Sequence, residues 1–331
     1  MTRINTSIYI KKYMKSIVII IPYFGLFPKQ FMFWLQSAYN NPSVNFLLFT
    51  DNEIESKSNI KVVKITFVEF RNIIQSKFDF EIALTSPYKI CDYRGAFGFV
   101  FSDYLEGYDF WGFGDLDLVY GDIRHFLTDE ILSKFKVILG YGHLTLYKND
   151  EDCNHFFETR MDGFQYFKDV FKNPRNSLFD EFLRGGLSDM WKFKHPNLIW
   201  DYKPFDDILI PLVRFNFKSV FSPEIPDRMI FEYSEKKLFR IYLNQFNQLV
   251  KEQTLYAHFQ LRKFMRVRTD NTEKYLIIPN SYIPYTQISA SKIKKWSNPF
   301  EIYAWVWKFK YRVNKRLFHK KYVQRQNIFY K

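Results

Sequence analysis

Short apolar runs, each ending in polar or turn-forming residues, recur through the first part of the chain. Residues 17–21 are all β-branched and lead into a turn at Pro22–Gly25, which predicts a buried strand. Further runs at 45–52 and 61–65 predict two more strands, and helical spacing at 29–39 predicts a helix. Strand, helix and strand in this order are typical of an α/β domain with a largely parallel sheet.

The apolar pattern continues through the middle of the chain without an internal repeat. A helix is predicted over Tyr93–Leu105, and the region 150–215 reads as helices and loops with a break at Gly185 and Gly186. Further short strands are predicted at residues 108–113, 137–140, 144–147 and 275–278.

The final segment combines aromatic and basic residues. Asn298 is suited to cap a helix with Pro299 at its first position, and aromatic residues from Phe300 onward then follow helical spacing. Residues 303–313 also alternate, which leaves a strand open, although the cap favours the helix. We expect a main domain over 1–270, divided into two halves near residue 125, and a helical extension over 271–331.

Charge is concentrated in that extension. The 331 residues carry 48 Lys and Arg against 35 Asp and Glu, a formal charge of +13. Residues 291–331 hold 12 of the basic residues and a single acid, Glu301, which leaves 36 basic and 34 acidic residues for the remainder. A charge confined to one end indicates a docking surface and argues against a nucleic-acid-binding body.

Composition excludes several classes of protein. The 68 aromatic residues, 38 Phe, 23 Tyr and 7 Trp, are far too many for a disordered chain. Two cysteines exclude a disulfide scaffold and fit a reducing compartment. No apolar run approaches the ~20 residues that a membrane-spanning helix needs. Lysines before residues 17–21 resemble the start of a signal peptide, but a turn and no small-residue cleavage site follow, which favours the strand.

The candidate chemistry lies in Asp115-Leu116-Asp117, directly after the strand-like residues 108–113. In extended backbone, side chains two residues apart project to the same side, so the two carboxylates form a hard, oxygen-rich site. Mg²⁺ or Mn²⁺ shared with phosphate oxygens suits such ligands. Gly112 and Gly114 are expected to let a diphosphate approach the backbone. The alternative is a solvated acidic turn, but the pair interrupts an apolar stretch.

Other motifs fail on spacing. Gly112 and Gly114 begin a dinucleotide fingerprint, but Asp117 occupies the place of its third glycine. The P-loop sequence, His-Glu-x-x-His and Cys-x-x-Cys are absent, so neither a P-loop nor a zinc site is expected.

Three segments together resemble the GT-A-fold glycosyltransferases, and more narrowly a bacterial group from capsule and O-antigen assembly. They are Pro22–Gly25, Lys89–Arg94 and Trp111–Asp117, and the likeness extends over about residues 16–265. Some relatives of this kind transfer galactose or galactofuranose. The resemblance implies a Rossmann-like, mixed and mostly parallel sheet flanked by helices, with a UDP-sugar as donor and Mn²⁺ or Mg²⁺ as cofactor.

The resemblance also implies roles for individual residues. Asp117 and His258 would bind the metal, and Asp115 would contact the metal, its water shell or the ribose. Gln260 and Lys263 would reach the diphosphate. The residues expected to line the nucleoside pocket are Pro22, Tyr23, Thr50, Asp51, Asp92 and Arg94. For His258 the alternative is an ordinary histidine, and for Asp92 and Arg94 it is an ion pair at a helix start.

Transfer with inversion requires a carboxylate that deprotonates the acceptor hydroxyl. Within the catalytic domain 1–270 we expect a nucleotide-sugar half over about 16–125 and an acceptor half over about 126–270. Asp180 and Glu181 are the candidates because they lie in the acceptor half, with Asp189, Asp206 and Asp207 as alternatives. Solvated helix acids are the structural alternative.

Two hypotheses follow. The first is a glycosyltransferase that extends a lipid-linked bacterial glycan and lies in the cytoplasm at the inner face of the membrane. There the tail 291–331 would bind anionic lipid, and the alternative is that its aromatic stripe packs on the catalytic domain. The second is a non-enzymatic basic module for nucleic acid or membrane, motivated by the same tail.

Overall fold

The structure is a computed structural model that describes residues 14–208, 216–222, 224–225, 228–260 and 265–297. The contacts between residues divide the chain into two compact units, and each unit is assembled from three stretches of sequence. Unit 1 contains the described residues of Met1–Gly25, Pro42–Asp115 and Leu127–Tyr202. Unit 2 contains the described residues of Leu26–Asn41, Leu116–Phe126 and Lys203–Lys331.

The strands of the described residues are β1 (Ile17–Tyr23), β2 (Val44–Thr50), β3 (Ile60–Lys64), β4 (Phe110–Gly114), β5 (Leu118–Tyr120), β6 (Val137–Tyr141), β7 (Leu144–Lys148), β8 (Ile199–Trp200), β9 (Asp206–Asp207), β10 (Met229–Ser234), β11 (Lys237–Leu243), β12 (Leu249–Thr254), β13 (Tyr256–His258), β14 (Arg266–Val267), β15 (Tyr275–Ile278) and β16 (Ser281–Pro284). The α-helices are α1 (Phe31–Tyr39), α2 (Phe67–Gln75), α3 (Phe97–Val100), α4 (Ile123–Phe126), α5 (Asp129–Lys134), α6 (Glu151–Asn154), α7 (Phe167–Lys172), α8 (Leu187–Lys194) and α9 (Ala290–Trp296). Short 3₁₀ helices occur at Pro87–Ala96, Ser102–Tyr104, Phe156–Glu158 and Pro196–Leu198.

Unit 1 is built on a seven-stranded sheet in the order β3-β2-β1-β4-β7-β6-β8. The first four strands are parallel, β7 is antiparallel to both of its neighbours, and β8 is parallel to β6. This mixed, mostly parallel sheet confirms the predicted α/β fold. The predicted strands at residues 17–21, 45–52 and 61–65 become its β1, β2 and β3.

The core of unit 1 explains why these runs became strands. Alternate residues such as Val18 and Ile20 join one large apolar cluster, which helix α2 covers with Phe70 and Ile74. Helix α2 begins at a capping box. The side chain of Thr66 accepts from the backbone N–H of Glu69, and the Glu69 carboxylate accepts from the backbone N–H of Thr66. The sheet is therefore fixed by apolar burial and its helix by a local polar motif.

The helix predicted at Tyr93–Leu105 is wrong in its type and its start. The segment instead forms the 3₁₀ helix Pro87–Ala96, one α-helical turn α3, and a further 3₁₀ turn. Ile90, Tyr93 and Ala96 are buried at a spacing of three, which is the repeat of a 3₁₀ helix. Sequence periodicity over so short a segment does not distinguish repeats of 3 and 3.6.

Gly112 has a packing role that the sequence analysis did not foresee. A Cβ at this position would lie 2.2 Å from the backbone oxygen of Thr145 and 2.5 Å from Leu146 on the neighbouring strand β7. The absent side chain thus lets β4 and β7 approach closely. The diphosphate contact expected of this glycine stays a prediction.

Unit 2 contains two sheets. A six-stranded sheet has the order β12-β11-β10-β15-β16-β14, and a three-stranded sheet has the order β5-β13-β9. Most of the six-stranded sheet was missed by the sequence analysis. One reason is the hairpin between β10 and β11, whose turn residues Glu235 and Lys236 have φ of 53° and 59°. Turns with two positive φ values are normally signalled by Asn or Gly, and here that signal is absent.

The C-terminal part of the described chain packs within unit 2. Strands β15 and β16, which fall inside the extension expected over 271–331, pair with each other, and β15 pairs with β10. On helix α9, Ile293 is fully buried in a cluster with Ile230 and Ile241. The aromatic stripe from Phe300 and the basic residues after residue 297 lie outside the described residues, so their docking role stays a prediction. No helix among the described residues is long and apolar enough to cross a bilayer.

Candidate functional site

The carboxyl ends of β1 and β2 in unit 1 are tied together by side chains from the following loops. The Asp51 carboxylate accepts from the backbone N–H of Gly25 at 2.9 Å, and the Asn52 amide donates to the Gly25 carbonyl at 2.7 Å. Thr50 is fully buried, and its hydroxyl accepts from the Asn52 amide at 2.9 Å. Since Gly25 has φ of +95°, the loop needs glycine there. Asp51 and Thr50 thus shape the predicted nucleoside edge, and Asn52 is an addition that the sequence analysis missed.

Arg94 links two predicted site residues in unit 1. Its guanidinium donates to Asp115 Oδ1 at 2.5 Å and to Asp180 Oδ2 at 3.2 Å, and it also reaches the Gly142 carbonyl at 2.6 Å. Burial alone would lower the pKa of Arg94, but the carboxylates of Asp115 and Asp180 raise it. Arg94 is therefore a permanent cation between these two carboxylates.

Asp180 and Glu181 differ in their surroundings although they are neighbours in sequence. Asp180 is 2% exposed, and burial raises its pKa well above the ordinary value, an effect that Arg94 opposes and Glu181 reinforces. Glu181 is only half-buried. A Cβ at Gly142 would lie 2.4 Å from Glu181 Oε1 and 3.3 Å from Asp180 Oδ2, so this glycine makes room for both carboxylates.

The Lys89–Asp92 ion pair is almost completely enclosed, with side-chain exposures of 2% and 0%. Lys89 Nζ lies 2.6 Å from Asp92 Oδ2 and donates to the carbonyls of Val170 and Arg175. The Asp92 carboxylate also accepts from the backbone N–H groups of Ser177 and Phe179, at 2.8 and 2.9 Å.

The pair therefore anchors the loop that leads directly into Asp180. Both carboxylate oxygens of Asp92 accept hydrogen bonds from the protein itself. The contact between Asp92 and the nucleoside stays a prediction. The ion pair that the sequence analysis weighed as the alternative is present, with Lys89 as the partner.

In unit 2, two predicted residues, Asp117 and Asp207, lie beside the imidazole of a third, His258, on the three-stranded sheet. The parallel register of β9 and β13 sets Asp207 beside His258, and the antiparallel register of β5 sets Leu118 on its other side. His258 Nδ1 lies 2.8 Å from Asp207 Oδ1, and His258 Nε2 lies 3.3 Å from Asp117 Oδ1. The backbone N–H of Phe259 donates to the Asp117 carbonyl at 3.0 Å, which fixes the turn that carries Asp117.

This arrangement favours a cation at His258. A carboxylate only accepts hydrogen bonds, so Nδ1 carries the ring proton that it donates to Asp207, and a neutral ring keeps a lone pair on Nε2. That lone pair faces a carboxylate oxygen of Asp117 at 3.3 Å. Two electron-rich atoms meet favourably at this distance only when a proton or a metal cation is shared between them. One hard oxygen and one imidazole nitrogen are acceptable ligands for Mn²⁺, so the residues present fit the expected metal.

Gln260 contacts the same array, but not in the way the sequence analysis expected. Its side-chain amide donates to Asp207 Oδ1 at 2.5 Å, so it supports the residue that holds the imidazole. Its diphosphate contact stays a prediction. Lys263 lies outside the described residues.

The structure thus groups the predicted residues within each unit. In unit 1, Arg94 contacts Asp115, Asp180 and Gly142, and Asp180 and Glu181 also lie against Gly142. Pro22 and Tyr23 end strand β1. In unit 2, Asp117 and His258 share one array with Asp207 and Gln260. Asp207 appeared in the sequence analysis only as an alternative base, and Lys89 only inside a motif. For Lys89 the sequence does offer a signal of the ion pair, since Lys89 and Asp92 stand three residues apart.

A family model described as "Family of unknown function (DUF6625)" matches residues 19–286 of the chain. No curated protein matches the chain. Three solved structures share a weak likeness, at sequence identities of 9–11%. They are an active-site mutant of LgtC (11% identity, TM-score 0.24, 40% of this chain and 57% of that chain), mouse xyloside xylosyltransferase 1 in its apo form (9%, 0.37, 75% and 98%), and a glycosyltransferase involved in the glycosylation of the major capsid of PBCV-1 (10%, 0.29, 58% and 84%). The chain spans little more than half the length of the LgtC chain. At these TM-scores the likeness does not by itself assign an activity.

Proposed function

The chain belongs to the family of unknown function DUF6625, and for it we propose a metal-dependent glycosyltransferase activity that uses a UDP-sugar. The observation that carries the proposal is the Asp117–His258–Asp207 array of unit 2, where a carboxylate oxygen and an imidazole nitrogen lie 3.3 Å apart, close enough to share a proton or a metal cation. Asp117 also closes the Asp-x-Asp sequence that directly follows strand β4. A metal cation held there would stabilise the negative charge that develops on a departing diphosphate.

The donor would bind through the polar carboxyl ends of the unit 1 strands. In open α/β sheets, ligands collect beyond the carboxyl ends of parallel strands. Tyr23, Thr50 and Asp51 stand at two of those ends, and Asp115 follows the third. Galactose and galactofuranose are the sugars that the sequence resemblance favours. A role for Asp115 at the metal or the ribose is part of the proposal.

Asp180 and Glu181 would have different roles in the transfer, one positioning Arg94 and the other acting as the base. A general base must be ionised and must reach the acceptor hydroxyl. Glu181 is half-buried whereas Asp180 is 2% exposed and is engaged by Arg94, so Glu181 is the better placed of the two to reach an acceptor. We therefore assign the base to Glu181 and assign to Asp180 the positioning of Arg94. When bound, the metal ion would stabilise the negative charge that develops on the departing diphosphate.

The acceptor is proposed to be a lipid-linked glycan of a bacterial surface polysaccharide. Support comes from the +11 charge of residues 291–331 and from its aromatic residues, which together suit an anionic membrane surface. An enzyme held at that surface would meet such an acceptor readily.

A donor screen tests the activity directly. The full chain is incubated with UDP-glucose, UDP-galactose, UDP-galactofuranose and UDP-N-acetylhexosamines in the presence of Mn²⁺, and UDP release is measured. We expect release from one donor or a few, and its loss when EDTA removes the metal. Release from none of these donors, or release that EDTA leaves unchanged, would contradict the proposal.

Replacing Asp207 with Asn is expected to weaken Mn²⁺ binding about 10–100-fold. Asp207 accepts the Nδ1 proton of His258 and thereby directs Nε2 toward Asp117, whereas an amide at this position can also donate and so no longer selects that tautomer. Free Mn²⁺ is measured by electron paramagnetic resonance during titration of the protein without donor. Asp201→Asn, a similar change at a more exposed aspartate, is the control and should bind Mn²⁺ like the wild type. Equal affinity in Asp207→Asn would show that Asp207 does not orient the histidine.

A further inference from the structure

A cavity of about 570 Å³ opens in unit 1 at the end of the sheet opposite to Thr50 and Asp51. Its wall includes Val18 and Asn45, the second residues of β1 and β2, and Tyr108, which precedes β4. It therefore lies at the amino ends of the parallel strands. Strand β1 has seven residues, so the cavity is roughly 20 Å from the carboxyl edge at ~3.3 Å per residue.

The cavity combines an apolar floor with a fixed aromatic ring. Val18 and Leu47, each 3% exposed, form part of the floor. The ring of Tyr104 is held edge-on against Phe49, with centroids 5.5 Å apart and planes at 75°. Lys61 Nζ lies 5.4 Å from the centroid of the same ring. The ring is thus positioned by the core before any ligand arrives.

The remaining wall offers polar groups that the fold does not use. Among the described residues, the side chains of Asn45, Ser58 and Asp103 form no hydrogen bond and no ion pair with one another or with their surroundings. Burial raises the pKa of Tyr108, so its hydroxyl keeps its proton and can donate as well as accept. An amide, two hydroxyls and a carboxylate therefore surround an apolar floor.

The charges of this cavity narrow the class of ligand. The cavity wall contains one lysine, Lys61, and one aspartate, Asp103, and their opposite formal charges make the wall neutral overall. A phosphate would meet the Asp103 carboxylate, and a metal cation would meet the Lys61 ammonium. A neutral molecule avoids both conflicts. It should carry hydroxyl groups for the polar wall and C–H groups for the negative face of an aromatic ring.

We propose that this cavity is a binding site for a neutral saccharide, with one sugar ring against Tyr104 and its hydroxyls bonded to Asn45 and Asp103. Its volume falls within the range of about 300–1,000 Å³ typical of ligand pockets. Its function would be to hold a part of the acceptor glycan remote from the point of transfer. That function rests on the proposed activity, whereas saccharide binding itself does not.

Saturation-transfer difference NMR with the full chain tests the site in the absence of donor and metal. The probes are the methyl glycosides of glucose, galactose, mannose and N-acetylglucosamine at millimolar concentrations. We expect transfer to at least one probe, and binding about fivefold to tenfold weaker in Asn45→Ala, Asp103→Ala and Tyr104→Leu, since each removes a hydrogen bond or a stacking face. Tyr202→Ala, which removes a tyrosine that is 65% exposed, should bind like the wild type.

Absence of transfer to all four probes would overturn the proposal, and so would affinities that the three variants leave unchanged. If Tyr104→Leu loses its fold by circular dichroism, Asn45→Ala and Asp103→Ala decide, because both lie outside the apolar core. UDP-sugar hydrolysis should be equal in the wild type and Asn45→Ala. Saccharide binding without any hydrolysis in the wild type would uphold the site and reject the proposed activity.

Discussion

Asp117→Asn is expected to reduce metal-dependent release of UDP from a UDP-sugar by about 1,000-fold or more. The change replaces the carboxylate that faces His258 Nε2 at 3.3 Å with a neutral amide, which is a poor ligand for a hard cation. A metal bound to the diphosphate supplies several kcal/mol of transition-state stabilisation, and each 1.36 kcal/mol is about tenfold in rate. Initial rates of UDP release at saturating Mn²⁺ measure the effect.

The matched control for this experiment is Asp79→Asn. Asp79 is exposed, and the same chemical change there should leave the rate within twofold of the wild type. Mn²⁺ affinity measured without donor should fall in Asp117→Asn and remain unchanged in the control. A rate in Asp117→Asn within tenfold of the wild type would remove the metal site from the proposed function.

Asp92→Ala is expected to lower the free energy of unfolding by about 3–5 kcal/mol. The change leaves the ammonium of Lys89, 2% exposed, without its carboxylate partner. It also leaves the backbone N–H groups of Ser177 and Phe179 without their acceptor. Urea titrations of the wild type and the variant, followed by circular dichroism, measure the difference.

Asp201→Ala provides the comparison, because it breaks an ion pair with Lys192 in which both side chains are about half exposed. Such pairs contribute about 0–1 kcal/mol, so the control should remain close to the wild type. If Asp92→Ala lost no more stability than Asp201→Ala, the Lys89–Asp92 pair would not anchor the loop before Asp180. Reduced activity in a still folded Asp92 variant is expected, since that loop positions Asp180 and Glu181.

The sheet of unit 1 was predictable because its signal is local. Residues 17–21 are a continuous β-branched run, and such runs indicate strands buried on both faces. The six-stranded sheet of unit 2 was not, and in β11 the buried residues Leu238, Ile241 and Leu243 do not follow a strict alternation. Its partners are joined by a turn at Glu235 and Lys236, whose composition carries no turn signal, so the pairing only becomes visible in three dimensions.

The candidate site divides in the same way. Asp115 and Asp117 stand two residues apart in sequence, and that spacing identified them as a pair. Asp207 and His258 are 51 residues apart, and their contact is set by the register of two very short strands. The pattern of residues along the sequence does not reveal which residues of two such short strands are paired. The burial of Lys89 is likewise not predictable from sequence, because lysine side chains are mostly exposed and are almost never fully buried unless they are paired.

Unit 2 has a consequence for how the chain is made. Gln36 on helix α1 bonds to Glu273, 237 residues later, and Phe33 on the same helix stacks on Tyr282 at 4.2 Å. During translation the apolar face of α1 must therefore wait until strands β15 and β16 have been synthesised. Contacts of such sequence separation slow folding and leave apolar surface open to aggregation. Yield in a bacterial host should therefore depend on slow synthesis and chaperones more than on the stability of the finished protein.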